Sequence, residues 1–185
     1  DRKIDELEME ILEKKQQLVD LRREAPDEPI EDYTLQNWDG EPVALSELFD
    51  EAGNLIVVHN MGRNCQYCTL WADGFNGVVD HLQDRANFVV VSPDPPDEQR
   101  EFATGRGWEF DMLSDSSGAF SEAVGYKDGD MYRPGFSSFR LDDDGQIFRT
   151  GHRQFGPRDD FSAVWHFFDL LGDADSVEWH PKFDY

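Results

Sequence analysis

The sequence predicts an α/β domain with a central mixed sheet flanked by helices, preceded by an N-terminal helical arm. Three observations carry that expectation. Short apolar, β-branched runs at Leu55–Val58 and Phe88–Val91 read as buried strands. Segments with apolar residues at helical spacing alternate with them. Late in the chain, Phe136–Leu141 and Gln146–Thr150 read as a hairpin across Asp142–Gly145, and a last helix follows.

Asp1–Glu24 is expected as one polar helix. Ile4, Leu7, Ile11, Leu18 and Leu21 recur at spacings of three and four, with Lys14 interrupting. That stripe is heptad-like but short for an independent coiled coil. The helix is therefore expected to pack as an arm on its own domain or on a neighbouring subunit, which includes a homodimer. Pro26 and Pro29 end it and make a stiff linker. The chain divides into residues 1–29, helix and linker, and 30–185, the folded domain.

Tyr33–Leu45 reads as a hairpin that turns at Asp39-Gly40, since glycine tolerates positive φ. Ser46 is the expected cap of a short helix through Leu48 and Phe49. After the strand Leu55–Val58, the loop His59–Asn64 leads into a helix from Cys65 to about Arg85. Leu70, Trp71, Phe75, Val78, Val79 and Leu82 keep helical spacing along it. Gly74 and Gly77 in its middle cost about 1 kcal/mol each relative to alanine, which predicts a kink or a close approach. Beyond Phe88–Val91 come a loop with Pro93, Pro95 and Pro96, a short helix Asp97–Thr104, a weak strand Trp108–Leu113 and a helical turn Gly118–Val124. The last helix, Asp159–Leu171, places Phe161, Val164, Trp165 and Phe168 on one face. In the tail, Trp179 and Phe183 are expected to tuck onto the body. The acidic run Asp142–Asp144 lacks the spaced ligands and closing glutamate of a calcium loop, so it reads as a solvated turn.

Charge narrows the function classes. The 185 residues carry 40 acidic against 17 basic side chains, a net charge of −23. Nucleic acid and anionic membranes would repel such a chain, and no apolar run is long enough to span a bilayer. Five of the basic residues are lysines: Lys3, Lys14, Lys15, Lys127 and Lys182. An acid-rich, lysine-poor chain with an ordinary apolar core suits a salt-loaded cytoplasm, where ions screen self-repulsion. A halophilic source is the expectation.

The chemistry concentrates in Cys65-Gln66-Tyr67-Cys68, which holds both cysteines of the chain. They fall in the first turn of a helix that follows a buried strand. Unpaired N–H groups and the positive end of the helix dipole stabilise a thiolate there. Asn64 is the expected N-cap. A thiolate attacks disulfides, and a second cysteine one turn on resolves the mixed disulfide. A reversible redox dithiol is the leading reading; it needs no cofactor and is compatible with a reducing cytoplasm. Three others stand beside it: a peroxidatic cysteine with its partner, a metal site completed by His59, His81 or a distant histidine, and two ordinary buried cysteines.

The order hairpin, strand, CxxC helix, strand, helix, closing hairpin and helix resembles the thioredoxin fold. Tyr33-Thr-Leu, Asp39-Gly40 and Leu45–Phe49 resemble the first hairpin of peroxiredoxins and thiol reductases. Cys65–Gly77, Arg106-Gly-Trp108 and Pro134–Phe139 resemble an uncharacterised thioredoxin-like family of predicted dithiol-disulfide oxidoreductases. The resemblance implies that Cys65 attacks and Cys68 resolves. It implies a disulfide-containing protein or a small-molecule thiol or disulfide as partner. Six residues before the first cysteine, thioredoxins often keep a buried acid that takes a proton from the resolving thiol; here His59 stands there, and an imidazole can do that work near neutral pH. Where thioredoxins place a cis-proline, this chain has a residue near Phe136, with Pro134 two positions earlier. Peroxiredoxins carry threonine or serine three residues before their reactive cysteine, and here that residue is Gly62. Arg63 and Arg133 are candidates for lowering the thiol pKa.

The charge makes one solution property testable. Unfolding midpoints should rise steadily from low salt toward molar KCl; equal stability in dilute buffer would contradict the expectation of a halophilic source.

Overall fold

Strand β4 (Asn54–His59) is the line on which the sheet assembles. A computed structural model of the chain describes residues 1–172 and 178–185. Counting strands in chain order, the others are β1 (Glu28–Ile30), β2 (Thr34–Gln36), β3 (Pro42–Ala44), β5 (Asn87–Ser92), β6 (Asp111–Ser114), β7 (Lys127–Asp128), β8 (Met131–Tyr132), β9 (Gly135–Leu141) and β10 (Ile147–Gln154). β4 pairs parallel with β5 and antiparallel with β9, and the eight-stranded order is β1-β10-β9-β4-β5-β6-β2-β3. β7 and β8 form a separate small hairpin that sequence patterning did not mark.

Side-chain alternation along the strands splits the core in two. Leu55, Val57, Val89, Val91 and Phe139 face one layer, closed by α5 (Ala119–Ala123) through Phe120, together with Val124 and Tyr126. Val58, Phe88, Val90 and Met112 face the other. That second layer is closed by α2 (Gln66–Asn76) through Trp71 and Phe75, by α4 (Pro96–Arg106) through Ala103, and by α6 (Val164–Asp169) through Trp165. The expected α/β architecture with a mixed central sheet is what the chain forms.

Several boundaries differ for local reasons. Glu28–Ile30 is a strand on β10 rather than free linker, anchored by Arg149 against Glu28. Ser46 does not cap its short helix; its hydroxyl donates to Asp32, and the Glu47 carboxylate accepts from the Ala44 N–H instead. The long helix expected from Cys65 to about Arg85 breaks rather than bends. α2 stops at Asn76, Gly77 caps it, and α3 (Val79–Gln83) starts anew. The last helix is shorter than its apolar spacing suggested, because Asp159 spends its carboxylate on the N–H groups of Gly156 and Phe161 and holds a turn there. In the tail, Trp179 packs on Trp165 and Phe168, and Phe183 meets Phe102, as expected. The acidic turn is closed by Asp142, which accepts from the Asp144 and Gln146 N–H groups.

The arm α1 (Arg2–Glu24) buries none of its residues. It touches the body where Lys15 pairs with Asp160 at 2.8 Å.

Gly135 opens β9 where the backbone of β10 and the ring of Tyr126 leave no room for a Cβ. Gly135→Ala should therefore lower stability by about 1–3 kcal/mol, read as a shifted urea midpoint with an unchanged slope.

Candidate active site

The sheet delivers the loop 60–64 to the end of β4, and α2 begins directly behind it. Cys65, not Asn64, is the N-cap. Its own sulfur accepts from the Cys68 N–H at 3.0 Å, which satisfies one of the free donors of the first turn. The cap and the thiol are thus the same side chain. Cys65 is partly exposed and Cys68 is buried. The Cys68 sulfur accepts from the Met61 N–H at 3.4 Å, and the Thr69 hydroxyl donates to the Cys65 carbonyl at 3.0 Å.

This geometry separates the two thiols. The hydrogen bond from the Cys68 thiol, aided by the N–H groups of Cys68 and Tyr67, lowers the Cys65 pKa to about 7 although burial opposes it. The same hydrogen bond, together with burial, pushes the Cys68 thiol up. One sulfur is half-ionised near neutrality while the other keeps its proton, an asymmetry that thiol–disulfide exchange can use. The arginines have other partners: Arg63 pairs with Glu98 at 2.9 Å and Arg133 with Asp128 at 3.7 Å. Beside Gly62 lies Asp94, whose carboxylate accepts from the Arg63 N–H and the Ser92 hydroxyl.

His59 sits at the end of β4 and borders, with Asn60, Pro134 and Phe155, a small space beside Cys68. Its ring lies on the opposite side of the sheet from α2. It stacks on Tyr126 at 3.8 Å between centroids, and its Nε2 is 3.0 Å from the Ser137 hydroxyl. Strand parity explains this, since residue 59 shares the face of Leu55 and Val57. Burial, then the charges of Arg149 and His152, lower its pKa to about 3. A neutral imidazole with so low a pKa is a poor proton acceptor at pH 7, so the expected relay to Cys68 loses its physical basis. Pro134, placed two positions early by the sequence, does reach the dithiol region.

Among the described residues, no group of three or more histidine, cysteine, aspartate or glutamate side chains stands close enough to hold a metal ion. None of the described helices is long and apolar enough to cross a membrane.

Residues that sequence reasoning left aside support the dithiol helix. The Tyr67 hydroxyl lies 2.6 Å from Nδ1 of His180 in the tail, and its ring stacks near Trp165. Trp71 Nε1 donates to the buried Asp159. Asp73 accepts from Arg106 Nε at 2.9 Å and from Trp108 Nε1 at 2.8 Å, while Asn76 bonds Gly107 and Glu109 backbone groups. The stretches Cys65–Gly77 and Arg106–Trp108 therefore meet as one clamp.

The chain belongs to the family described as bacterial protein of unknown function (DUF899), which it matches over residues 4–184. Two Mycobacterium tuberculosis proteins, provisionally named peroxiredoxins, are 29% identical to it over 101 residues, 54% of this chain. That match spans 65% of their length. Among solved structures, peroxidoxin BcpB from M. tuberculosis aligns with a TM-score of 0.58 at 23% identity, covering 79% of this chain and 93% of that one. Peroxiredoxin Q from Xanthomonas campestris aligns with a TM-score of 0.54 at 20% identity, covering 76% and 87%. A hypothetical protein from Sinorhizobium meliloti 1021 aligns with a TM-score of 0.55 at 16% identity, covering 86% and 88%. The fold is thioredoxin-like, in the form that peroxiredoxins share.

The thiol pair makes a pH prediction. The alkylation rate of Cys65 should rise through a midpoint near pH 7 and level off above it. Cys68→Ala removes the largest cause of the lowering, so the midpoint should move up toward the free-thiol value of about 8.5. Iodoacetamide kinetics followed by mass spectrometry check both.

Proposed function

We propose that this protein is a thiol-disulfide oxidoreductase. The observation that carries the reading is the hydrogen-bonded Cys65–Cys68 pair at the start of α2, with one sulfur near half-ionisation and the other protonated. The Cys65 thiolate attacks one sulfur of a disulfide in a partner protein or small molecule. A Cys65–substrate disulfide forms and the other substrate sulfur leaves as a thiolate. Cys68 gives up its proton to solvent or to that leaving thiolate, attacks the Cys65 sulfur, and releases the second substrate thiol. Two electrons have passed to the substrate, and Cys65 and Cys68 are left joined. Another dithiol restores the pair. Run in reverse, the same steps oxidise a substrate dithiol. His59 acts as a neutral, stacked support of β4 rather than as a base. The acid-rich surface suits a salt-rich cytoplasm, and the uncovered arm α1 is the element for association with a second copy.

A peroxidase reading has its own support in the relatives named as peroxiredoxins. There the Cys65 thiolate attacks a peroxide oxygen, giving a sulfenic acid and an alcohol or water. Cys68 then condenses with the sulfenic acid, releasing water and forming the same disulfide. Gly62, without a side chain, stands where a hydroxyl would orient the peroxide, which favours the first reading.

One experiment separates them. The reduced protein is mixed with hydroxyethyl disulfide or with micromolar hydrogen peroxide, and both thiols are followed by mass spectrometry. Under the leading reading, disulfide consumes both thiols rapidly and Cys68→Ala stops at a trapped mixed disulfide on Cys65. Peroxide then reacts no faster than with a simple thiol of the same pKa. Rapid sulfenic acid formation with sluggish disulfide exchange would install the peroxidase instead. Cys65→Ser should abolish both reactions, and His59→Asn should leave their pH profile unmoved.

A further inference from the structure

Two unpartnered apolar surfaces lie side by side on this molecule. The first is the stripe of α1. Ile4, Leu7, Ile11, Leu18 and Leu21 are 40–63% exposed. Their closest neighbour is a shallow recess that, among the described residues, the body lines with only Arg153 and Asp160. A 23-residue helix that buries nothing gains little from its own fold. The second surface is a groove of about 740 Å³ between α2–α3 and the segment before α6. Ile56, Leu70, Val78, Phe136 and Phe161 are among its walls. Val78, at the break between α2 and α3, is a 44% exposed valine, and Gly74 widens the groove by carrying no side chain. The recess and the groove share Asp160.

We infer that the groove receives the α1 helix of a second copy of this chain, in a reciprocal exchange. This rests on the reading of α1 as the self-association element and names the surface that element fits. Two observations commit the groove to that occupant. Size is the first: burying the five stripe residues removes roughly 60–120 Å² each. With an equal area from the groove, and two such contacts in a two-fold dimer, the total is roughly 1,200–2,400 Å², a range that takes in the size of a standard stable interface. Continuity is the second, since each α1 already rests at the mouth of its own groove through Lys15 and Asp160. Each copy carries a net charge of −23, so approach is opposed in dilute buffer and the apolar contact strengthens as salt screens it.

The test uses the full chain in sedimentation equilibrium at low salt and at 2 M KCl (about 3 Å screening length at 1 M and shorter beyond). A dimer that tightens with KCl is expected. Ile11→Lys on the helix and Val78→Glu in the groove both alter exposed side chains, so circular dichroism should show intact folds. Each should weaken the dimer at least tenfold. Mixing the two variants should regain a heterodimer, because the intact helix of one still fits the intact groove of the other. A monomer at every salt concentration overturns both the exchange and the self-association reading. A dimer broken by Ile11→Lys but indifferent to Val78→Glu overturns the groove alone and leaves helix-to-helix pairing. A dimer indifferent to Ile11→Lys removes α1 from association. None of these outcomes touches the dithiol chemistry, which the thiol assays read separately.

Discussion

The hydrogen bond from the Cys68 N–H to the Cys65 sulfur is the interaction on which the site depends. It closes the first turn of α2, a cap of the kind that contributes about 1 kcal/mol to a helix. After the hydrogen bond from the Cys68 thiol, it also helps to stabilise negative charge on that sulfur. Fold and reactivity are tied through one atom. Most helix caps are hydroxyls or carboxylates with no further task. Here the cap is also the thiol proposed as the nucleophile.

Around this point the chain spends many of its polar side chains on holding α2 in place. Trp71 reaches Asp159, Asp73 reaches Arg106 and Trp108, and Asn76 reaches the backbone on either side of Trp108. The far end of the helix is thus fixed to the end of α4 and to the segment that leads from it into β6. The sheet fixes the near end through β4 and its partners β5 and β9. Positional precision of this kind suits in-line attack on a sulfur, where a small misplacement costs rate.

Much of this was legible from residue order. Leu55–Val58, Phe88–Val91 and the late hairpin announced the central strands because apolar β-branched runs have few other uses. The two cysteines announced the site because strand, loop and helix start coincide there. The rest was hidden for identifiable reasons. Asn64 is a good cap by type, but the sulfur of Cys65 wins by geometry. His59 matched a position in a family pattern, yet the parity of β4 turned its ring to the other layer. Glu28–Ile30 carries two residues poor in strands, Glu and Pro, and pairs only because the sheet edge at β10 lies there. The partners of Asp73 and Tyr67 lie 33 and 113 residues away, and no local pattern announces such contacts.

The aromatic surroundings of Tyr67 have an optical consequence. Trp71 borders the space beside Cys68, and Trp165 lies 6.3 Å from Tyr67 by ring centroids, with Trp179 against Trp165 in turn. Disulfides accept energy and electrons from excited indoles over such ranges. Three of the five tryptophans therefore form a run of rings that starts beside Cys68. Under the proposed redox role, the emission of the unlabelled protein becomes a gauge of its oxidation state, dim when the two sulfurs are joined and bright when they are apart.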